Sequence, residues 1–173
     1  VGVGDGGDVD GGVAEGGVVE YLDGMRGAGV SRHVGVTGHA KPEAHLRALH
    51  WFDEGMEFDT MQLPINPLDF HQHSFQKSVL PELVKREIGV IAMKTSAHGE
   101  LVKRGICEID ECLRFVWALP VSLTVVGMDS LEHVRHNIAL ARESKEMAAE
   151  EMETLLARIE SDQDISIEWY KKV

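Results

Sequence analysis

The sequence has little cysteine, few aromatic residues and no long apolar run, and these shortages exclude several classes of protein. Two cysteines, Cys107 and Cys112, are too few for the disulfide framework of a small secreted protein. We therefore expect buried or idle thiols and a reducing, cytoplasmic setting. No run of about 18 apolar residues is present, so no membrane-spanning segment is expected. The first residues also lack the basic and apolar stretches of a signal peptide.

Basic residues are scarce as well. Lys and Arg number 17 against 29 Asp and Glu, which gives a formal net charge of −12. A surface of this sign repels nucleic-acid phosphates and anionic lipids, so neither nucleic acid nor a membrane is expected as a partner. A local basic pocket for one phosphate remains compatible with this charge. The 173 residues are 43% apolar, which suffices for a buried core and excludes disorder, collagen and coiled coil for most of the chain.

Glycine is concentrated at the start of the chain, where residues 1–29 hold 11 of the 18 glycines. We interpret residues 1–17 as a flexible Gly-rich lead-in. It contains a literal G-x-G-x-x-G at Gly2, Gly4 and Gly7. That motif binds a pyrophosphate only between a strand and the helix that directly follows. Here no strand is predicted before it, and the next predicted helix begins about ten residues later.

From residue 18 onward, helical and strand-like patterns alternate. The strands lack polar alternation, which is typical of a parallel sheet covered by helices. A helix between consecutive strands supplies the crossover that parallel pairing needs. Apolar spacing predicts helices near 18–25, 42–56, 80–88, 109–117, 131–140 and 145–160, and strands near 33–36, 58–65, 89–93 and 121–126.

Small and polar residues follow each predicted strand. The four strand ends are 37–39, 62–66, 94–96 and 127–129. Ligands of parallel α/β folds gather at the carboxyl ends of strands, so these residues are candidates for binding. Turns between strands and helices favour the same residue types without any ligand, and position alone leaves both interpretations open.

The segments around these strand ends resemble the C-terminal half of an aldo/keto reductase. In order they match the family's fifth to eighth strands, over about residues 18–142, and TGH and AMK are closest to its bacterial branch. The resemblance implies an α/β fold of four βα units from a (β/α)8 TIM barrel. Residues 143–173 lie beyond it, and their Glu-rich composition predicts an acidic helix and tail. The matching segments are RHVGVTGH, FDTMQLPINPLD, LPELVKREIGVIAMKTSAHGEL and LPVSLTVVGMDSLEHVRHNIALA.

The resemblance also implies a function, the NADP- or NAD-dependent reduction of a small carbonyl substrate by hydride transfer. The family's catalytic Asp, Tyr, Lys and His come from the first four strands, which have no counterpart here. We therefore assign no catalytic residue and expect this chain alone to be inactive. A C-x-x-C motif is absent, so no iron–sulfur cluster is expected. His71 and His73 have no carboxylate at a spacing that would complete a metal site, so no other metal is expected. Half a barrel has open strand edges, which predict self-association or pairing with the other half.

Four residues take nicotinamide-side roles by this resemblance. Thr37 and Gln62 match positions that hold the carboxamide, and an amide such as Gln62 can both donate and accept. Gly38 stands where many members have an Asn for the same contact. Met93 stands where many members stack a Tyr on the ring, so a thioether would replace it. The alternative for Thr37 and Gln62 is that they are ordinary polar residues at strand ends.

The resemblance assigns contacts with the cofactor's phosphates to residues at the ends of the third and fourth predicted strands. Lys94 and Thr95 could meet the pyrophosphate. Gly127, Met128 and Ser130 match the loop and helix start that cradle the adenosine phosphate, where backbone N–H groups favour an anion. Ser130 is also a good N-cap, and capping is compatible with phosphate binding.

Two residues of the following helix complete the set. His133 stands where many members have an Arg for the 2′-phosphate, which leaves NADP versus NAD open. Asn137 matches the residue that bonds the adenine, with packing as the alternative.

Two other functional classes remain open from the sequence. One is a non-enzymatic α/β module that binds a nucleotide or a partner through open edges. The other is a complete flavodoxin-like domain with its ligand at the strand ends.

Overall fold

A computed structural model of the chain describes residues 17–143, 145–162, 164 and 166–171. The predicted lead-in, including the motif at Gly2, Gly4 and Gly7, lies outside the described residues apart from Gly17. Helices and strands alternate in the described part, which confirms the predicted α/β class. No helix in these ranges is both long enough and apolar enough to cross a bilayer.

Four strands form one parallel sheet in the order β1-β2-β3-β4. They are β1 (Gly35–Thr37), β2 (Thr60–Pro64), β3 (Gly89–Met93) and β4 (Leu123–Thr124). Only β3 has the predicted bounds. The two edge strands, β1 and β4, are shorter than their apolar patterns because each has a partner on one side only in the described sheet.

The helices follow the predicted order, and local signals set several of their ends. Pro42 lies in the first turn of its helix, where the missing N–H costs nothing. The helices are α1 (Val18–Gly27), α2 (Pro42–Asp53), α3 (Phe75–Ser78), α4 (Leu80–Lys85), α5 (Glu100–Lys103), α6 (Ile109–Trp117), α7 (Leu131–Glu143) and α8 (Ala149–Ile159), with 3-10 turns at Leu68–Phe70, Glu160–Asp162 and Trp169–Lys171.

Burial alternates along the central strands. Successive strand side chains point to opposite faces of a sheet. One face packs into the core with the helices, and Met61, Leu63, Val90 and Ala92 belong to it. The opposite face carries residues such as Gln62, which is partly exposed. In the described part of the chain, the helices therefore cover one face of the sheet and leave the other partly open.

Thr60 lies between two glycines on that open face. Gly35 and Gly89 are its neighbours in the register on either side. A Cβ added to Gly35 would come 2.3 Å from Thr60 Oγ1, and one added to Gly89 would come 3.1 Å from the Thr60 methyl group. The two glycines therefore make room for the Thr60 side chain.

The predicted apolar face of α7 is not buried. The spacing of Leu131, Val134, Ile138 and Leu140 predicts the helix correctly, but none of its described residues is buried. Leu131 is 73% exposed and Ile138 46% exposed. The physical reason is that α7 follows the edge strand β4, beyond which the described residues provide no further layer.

The two cysteines are buried and free, as expected. Glu108 is the N-cap of α6, so Cys107 precedes the cap and Cys112 lies one turn inside the helix. These are the positions at which two apolar side chains pack to fix the entry of a helix. Contact with the Cys107 thiol, together with burial, raises the pKa of Cys112 far above its usual range. The pair is thus part of the core.

The C-terminal part of the chain also packs into the core. Leu155, Leu156 and Ile159 of α8 are buried, as their spacing predicts, and so is Ile167 beyond the helix. The acidic side chains of Glu150 and its neighbours stay exposed on the outer face of α8.

Candidate functional site

A cleft of about 540 Å³ opens at the carboxyl ends of β2, β3 and β4. Its volume lies within the range of small-molecule sites. Five residues from the sequence-predicted set line it, so three of the four strand ends converge on one cleft. These five are Gln62, Met93, Lys94, Thr95 and Gly127, and the other lining residues include Ser96, His98, Gly99 and Asp129.

Gln62 is fixed by contacts to its backbone carbonyl. The Gly38 N–H and His45 Nε2 each donate to this oxygen at 3.3 Å. His45 is almost fully buried, and its ring lies edge-on to Phe75 with centroids 4.9 Å apart. Burial lowers the pKa of His45 and keeps the imidazole neutral. Sequence reasoning missed His45, since a lone histidine on a helix face gives no distinguishing signal.

Thr37 and Gly38 lie beside Gln62 at the end of the neighbouring strand. Thr37 is in register with Gln62, and both side chains are partly exposed. The first strand end therefore adjoins the cleft through β2, although neither Thr37 nor Gly38 lines it.

The turn after β3 carries the cleft's cationic group and an unusual backbone. Lys94, Ala97 and His98 have φ angles of 55°, 51° and 62°, in the left-handed region that disfavours residues other than glycine. Thr95 is buried within the same turn. Strained backbone tends to cluster at functional sites, where the surrounding structure holds it in place.

The ammonium group of Lys94 has an aromatic neighbour. It lies 5.8 Å from the centroid of the Tyr170 ring. Among residues 17–143, 145–162, 164 and 166–171, no carboxylate comes within ion-pair distance of it. In a protein of net charge −12, such a cation is available to an anionic ligand.

Gly127, at the end of β4, borders open space. A Cβ added there would have no heavy atom within 4 Å. A ligand could therefore approach the backbone at this point without displacing protein atoms.

The remaining predicted residues, Met128, Ser130, His133 and Asn137, do not line the cleft. Met128 and Asn137 line a separate opening of about 430 Å³ between α6, β4 and α7. The two openings share Val126. Ser130 caps α7, since its Oγ accepts from the His133 N–H at 3.1 Å, and the His133 side chain is exposed. The structure thus divides the predicted set into a cleft group and a group around α7.

A buried polar cluster that sequence reasoning missed lies next to the end of β2. Lys171 Nζ is 2.5 Å from Asp69 Oδ1 and 2.8 Å from Glu168 Oε2. Asn66 Nδ2 donates to Glu168 Oε1 at 3.0 Å and to the Tyr170 hydroxyl at 3.1 Å. These five residues are all buried. We call Asn66, Asp69, Glu168, Tyr170 and Lys171 the buried polar cluster.

Burial is the largest influence on the pKa of two members of this cluster, Asp69 and Tyr170. It raises the pKa of Asp69 to about 6, against the opposing effect of the Lys171 ammonium. It also raises the pKa of Tyr170 well above its usual value, so the phenol stays protonated and donates to Glu168 Oε1 at 2.9 Å.

Comparison with known proteins adds no assignment. No protein-family model matches the chain, and no curated protein matches it.

Proposed function

We propose that the cleft binds the nicotinamide and pyrophosphate part of NADP or NAD, and that the chain is the cofactor-binding portion of an aldo/keto reductase. One observation carries this proposal: Gln62, Met93, Lys94, Thr95 and Gly127 line a single cleft at the carboxyl ends of parallel strands.

The donors present in the cleft fit such a ligand. Lys94 offers an ammonium group with no carboxylate of the described residues within ion-pair distance, and the side chains of Thr95 and Ser96 offer hydroxyl groups. Gln62 offers an amide that can donate to and accept from a carboxamide. Asp129 also lines the cleft, and its carboxylate would repel a phosphate, so we assign the pyrophosphate to Lys94.

Each residue contributes to binding and orientation. Lys94 and Thr95 would hold the pyrophosphate, while Gln62 would fix which face of the nicotinamide ring is presented. Met93 would pack on that ring. When bound, the cofactor supplies a hydride for reducing a carbonyl group. The proton donor and its supporting residues are not assigned within this chain, so binding without turnover is expected.

Titration of the full chain with NADPH and with NADH tests this proposal. Lys94→Met should raise the Kd by about tenfold or more, since it removes a charge-assisted contact to phosphate. The matched control is Lys103→Met, because the Lys103 side chain on α5 is 77% exposed and its ammonium lies 3.3 Å from Glu100. Absence of binding by the unmodified chain at millimolar cofactor would refute the proposal. Robust turnover of small aldehydes would refute the claim that the catalytic groups lie elsewhere.

A second candidate function, a partner-binding module, is favoured by the edge formed by β4 and α7. Leu123 is 53% exposed and Leu131 73% exposed, and β4 is an edge strand. Exposed apolar side chains beside an unpaired strand edge favour association. Light scattering at several concentrations tests it, and a monomer at every concentration would exclude self-association through this edge.

A further inference from the structure

We propose that Trp169 and Tyr170, in the C-terminal segment 166–171, are positioning residues that hold the Lys94–Gly99 turn in the shape needed to bind the cofactor's phosphates. The identity of the ligand in this inference rests on the proposed function. The claim that the two rings position the turn is independent of it.

The C-terminal segment crosses the carboxyl ends of three strands. Tyr170 has its ring 6.1 Å from the ring of His39, which follows β1. The Tyr170 hydroxyl accepts from Asn66, which follows β2. The Trp169 ring lies edge-on to the ring of His98, which follows β3, with centroids 5.6 Å apart. The segment therefore contacts elements that are far apart in the sequence.

Both aromatic contacts with the Lys94–Gly99 turn are made to residues whose backbone lies in the left-handed region. Tyr170 faces Lys94, whose φ is 55°, and Trp169 faces His98, whose φ is 62°. Neither residue is glycine, so each pays a steric penalty in this conformation that the surroundings must offset. Within the turn, the Ala97 N–H donates to the Lys94 carbonyl at 2.7 Å and the Gly99 N–H to the Ser96 carbonyl at 3.0 Å, and the two aromatic contacts add to these bonds.

The segment itself is firmly anchored. Lys171 bridges Asp69 and Glu168 in the buried polar cluster. At the other end, Arg104 donates to Asp164 at 3.0 Å and to Ser166 at 3.2 Å. A segment held at both ends can act as a rigid support for the turn that it contacts. This arrangement predisposes Lys94 and Thr95 to one geometry before a ligand arrives.

Two substitutions test the inference in the full chain. Trp169→Ala should leave the fold intact because Trp169 is 50% exposed. Tyr170→Leu removes the ring opposite Lys94, but it also removes the hydroxyl that bonds Asn66 and Glu168 in the buried polar cluster. It is therefore compared with Tyr170→Phe, which removes the hydroxyl and keeps the ring. The matched control is Tyr21→Ala, which removes an aromatic ring that is 67% exposed on α1.

Amide hydrogen exchange is the first measurement. We expect exchange in residues 94–99 to become about tenfold faster in both variants, with the central strand β3 unchanged. Equal acceleration in β3 would mean general destabilisation, and unchanged exchange in 94–99 would mean that the rings do not position the turn. Either result overturns the inference.

Affinity for NADPH is the second measurement, and it separates this inference from the proposed function. We expect the Kd of both variants to rise by about tenfold, because a misplaced binding group loses its contact. An affinity that is unchanged or improved would overturn the inference, and an improvement would mean that the segment obstructs the cleft. If the unmodified chain binds no NADPH, the proposed function fails and the exchange result alone decides the positioning role.

Discussion

Lys171 and Asp69 form an ion pair between residues 102 positions apart in the sequence. Their side chains are 2% and 0% exposed, and Glu168 shares the ammonium group at 2.8 Å. A buried pair of this kind is not itself strong evidence of stability, because both charges lose their hydration. Its removal is informative, however, since any charge left behind is buried without a counter-ion.

Lys171→Met should therefore destabilise the protein. The substitution leaves Asp69 and Glu168 buried without their shared cation, and we expect the free energy of unfolding to fall by about 3–5 kcal/mol. Urea denaturation of the full chain measures this loss. Lys103→Met, at an exposed lysine, should change stability by less than about 0.5 kcal/mol. A loss of less than about 1 kcal/mol for Lys171→Met would contradict the buried pairing.

Protonation of Asp69 should produce a measurable pH dependence. Burial raises its folded-state pKa to about 6, so the folded state binds this proton more tightly than the unfolded state. The resulting stabilisation is full below about pH 4 and is lost as the pH rises through 6, by about 3 kcal/mol for a shift of about two pH units.

Comparison with Asp69→Asn isolates this effect, since the variant cannot titrate at that position. The stability of the unmodified chain relative to the variant should decrease between pH 4 and pH 7. A relative stability that rises over this range would show that the Lys171 charge outweighs burial and lowers the pKa of Asp69.

Gly35 should not tolerate a side chain. A Cβ there would lie 2.3 Å from Thr60 Oγ1 and 3.0 Å from the Thr60 carbonyl oxygen. We expect Gly35→Ala to lower the free energy of unfolding by about 1–3 kcal/mol. The matched control is Gly24→Ala on α1, where a Cβ would meet nothing within 4 Å. That substitution should stabilise by up to about 1 kcal/mol, because alanine is the better helix former. Thermal melts of the two variants should move in opposite directions.

Substitutions at Ser130 can separate helix capping from phosphate binding. Ser130→Ala removes the bond from the His133 N–H and should weaken α7 by about 1 kcal/mol. Ser130→Asp keeps an N-cap but adds a negative charge. Amide exchange in α7 should therefore be faster only in the alanine variant. A raised Kd for NADPH in the aspartate variant would place the phosphate next to Ser130, and an unchanged Kd would leave the residue as a cap only.

Local patterns in the sequence predict much of this fold. The run Gly89–Met93 forms a strand with the predicted bounds, and the spacing from Ile109 to Trp117 forms a helix with the predicted bounds. The convergence of Gln62, Lys94 and Gly127 follows from the general rule that parallel strands end at the same edge of a sheet.

Contacts between distant segments were not predictable in this way. The sequence around Lys171 and around Asp69 has no periodicity or spacing that indicates their pairing. From its local sequence, each residue would be predicted to be an ordinary charged residue on the surface. The support of the Lys94 turn by Tyr170 has the same character. The exposed face of α7 was missed for another reason: apolar spacing reports what a helix could bury and does not report whether a neighbouring layer exists.

The lack of buried side chains in α7 has a consequence for ligand affinity. An element with so little packing opens at low free-energy cost, so α7 should exchange its amides among the fastest of the described helices. A dinucleotide reaching from Lys94 to Asn137 would have to immobilise this helix. The entropy lost in doing so would offset part of the contact energy, and the intact dinucleotide would then bind little more tightly than its nicotinamide-containing half.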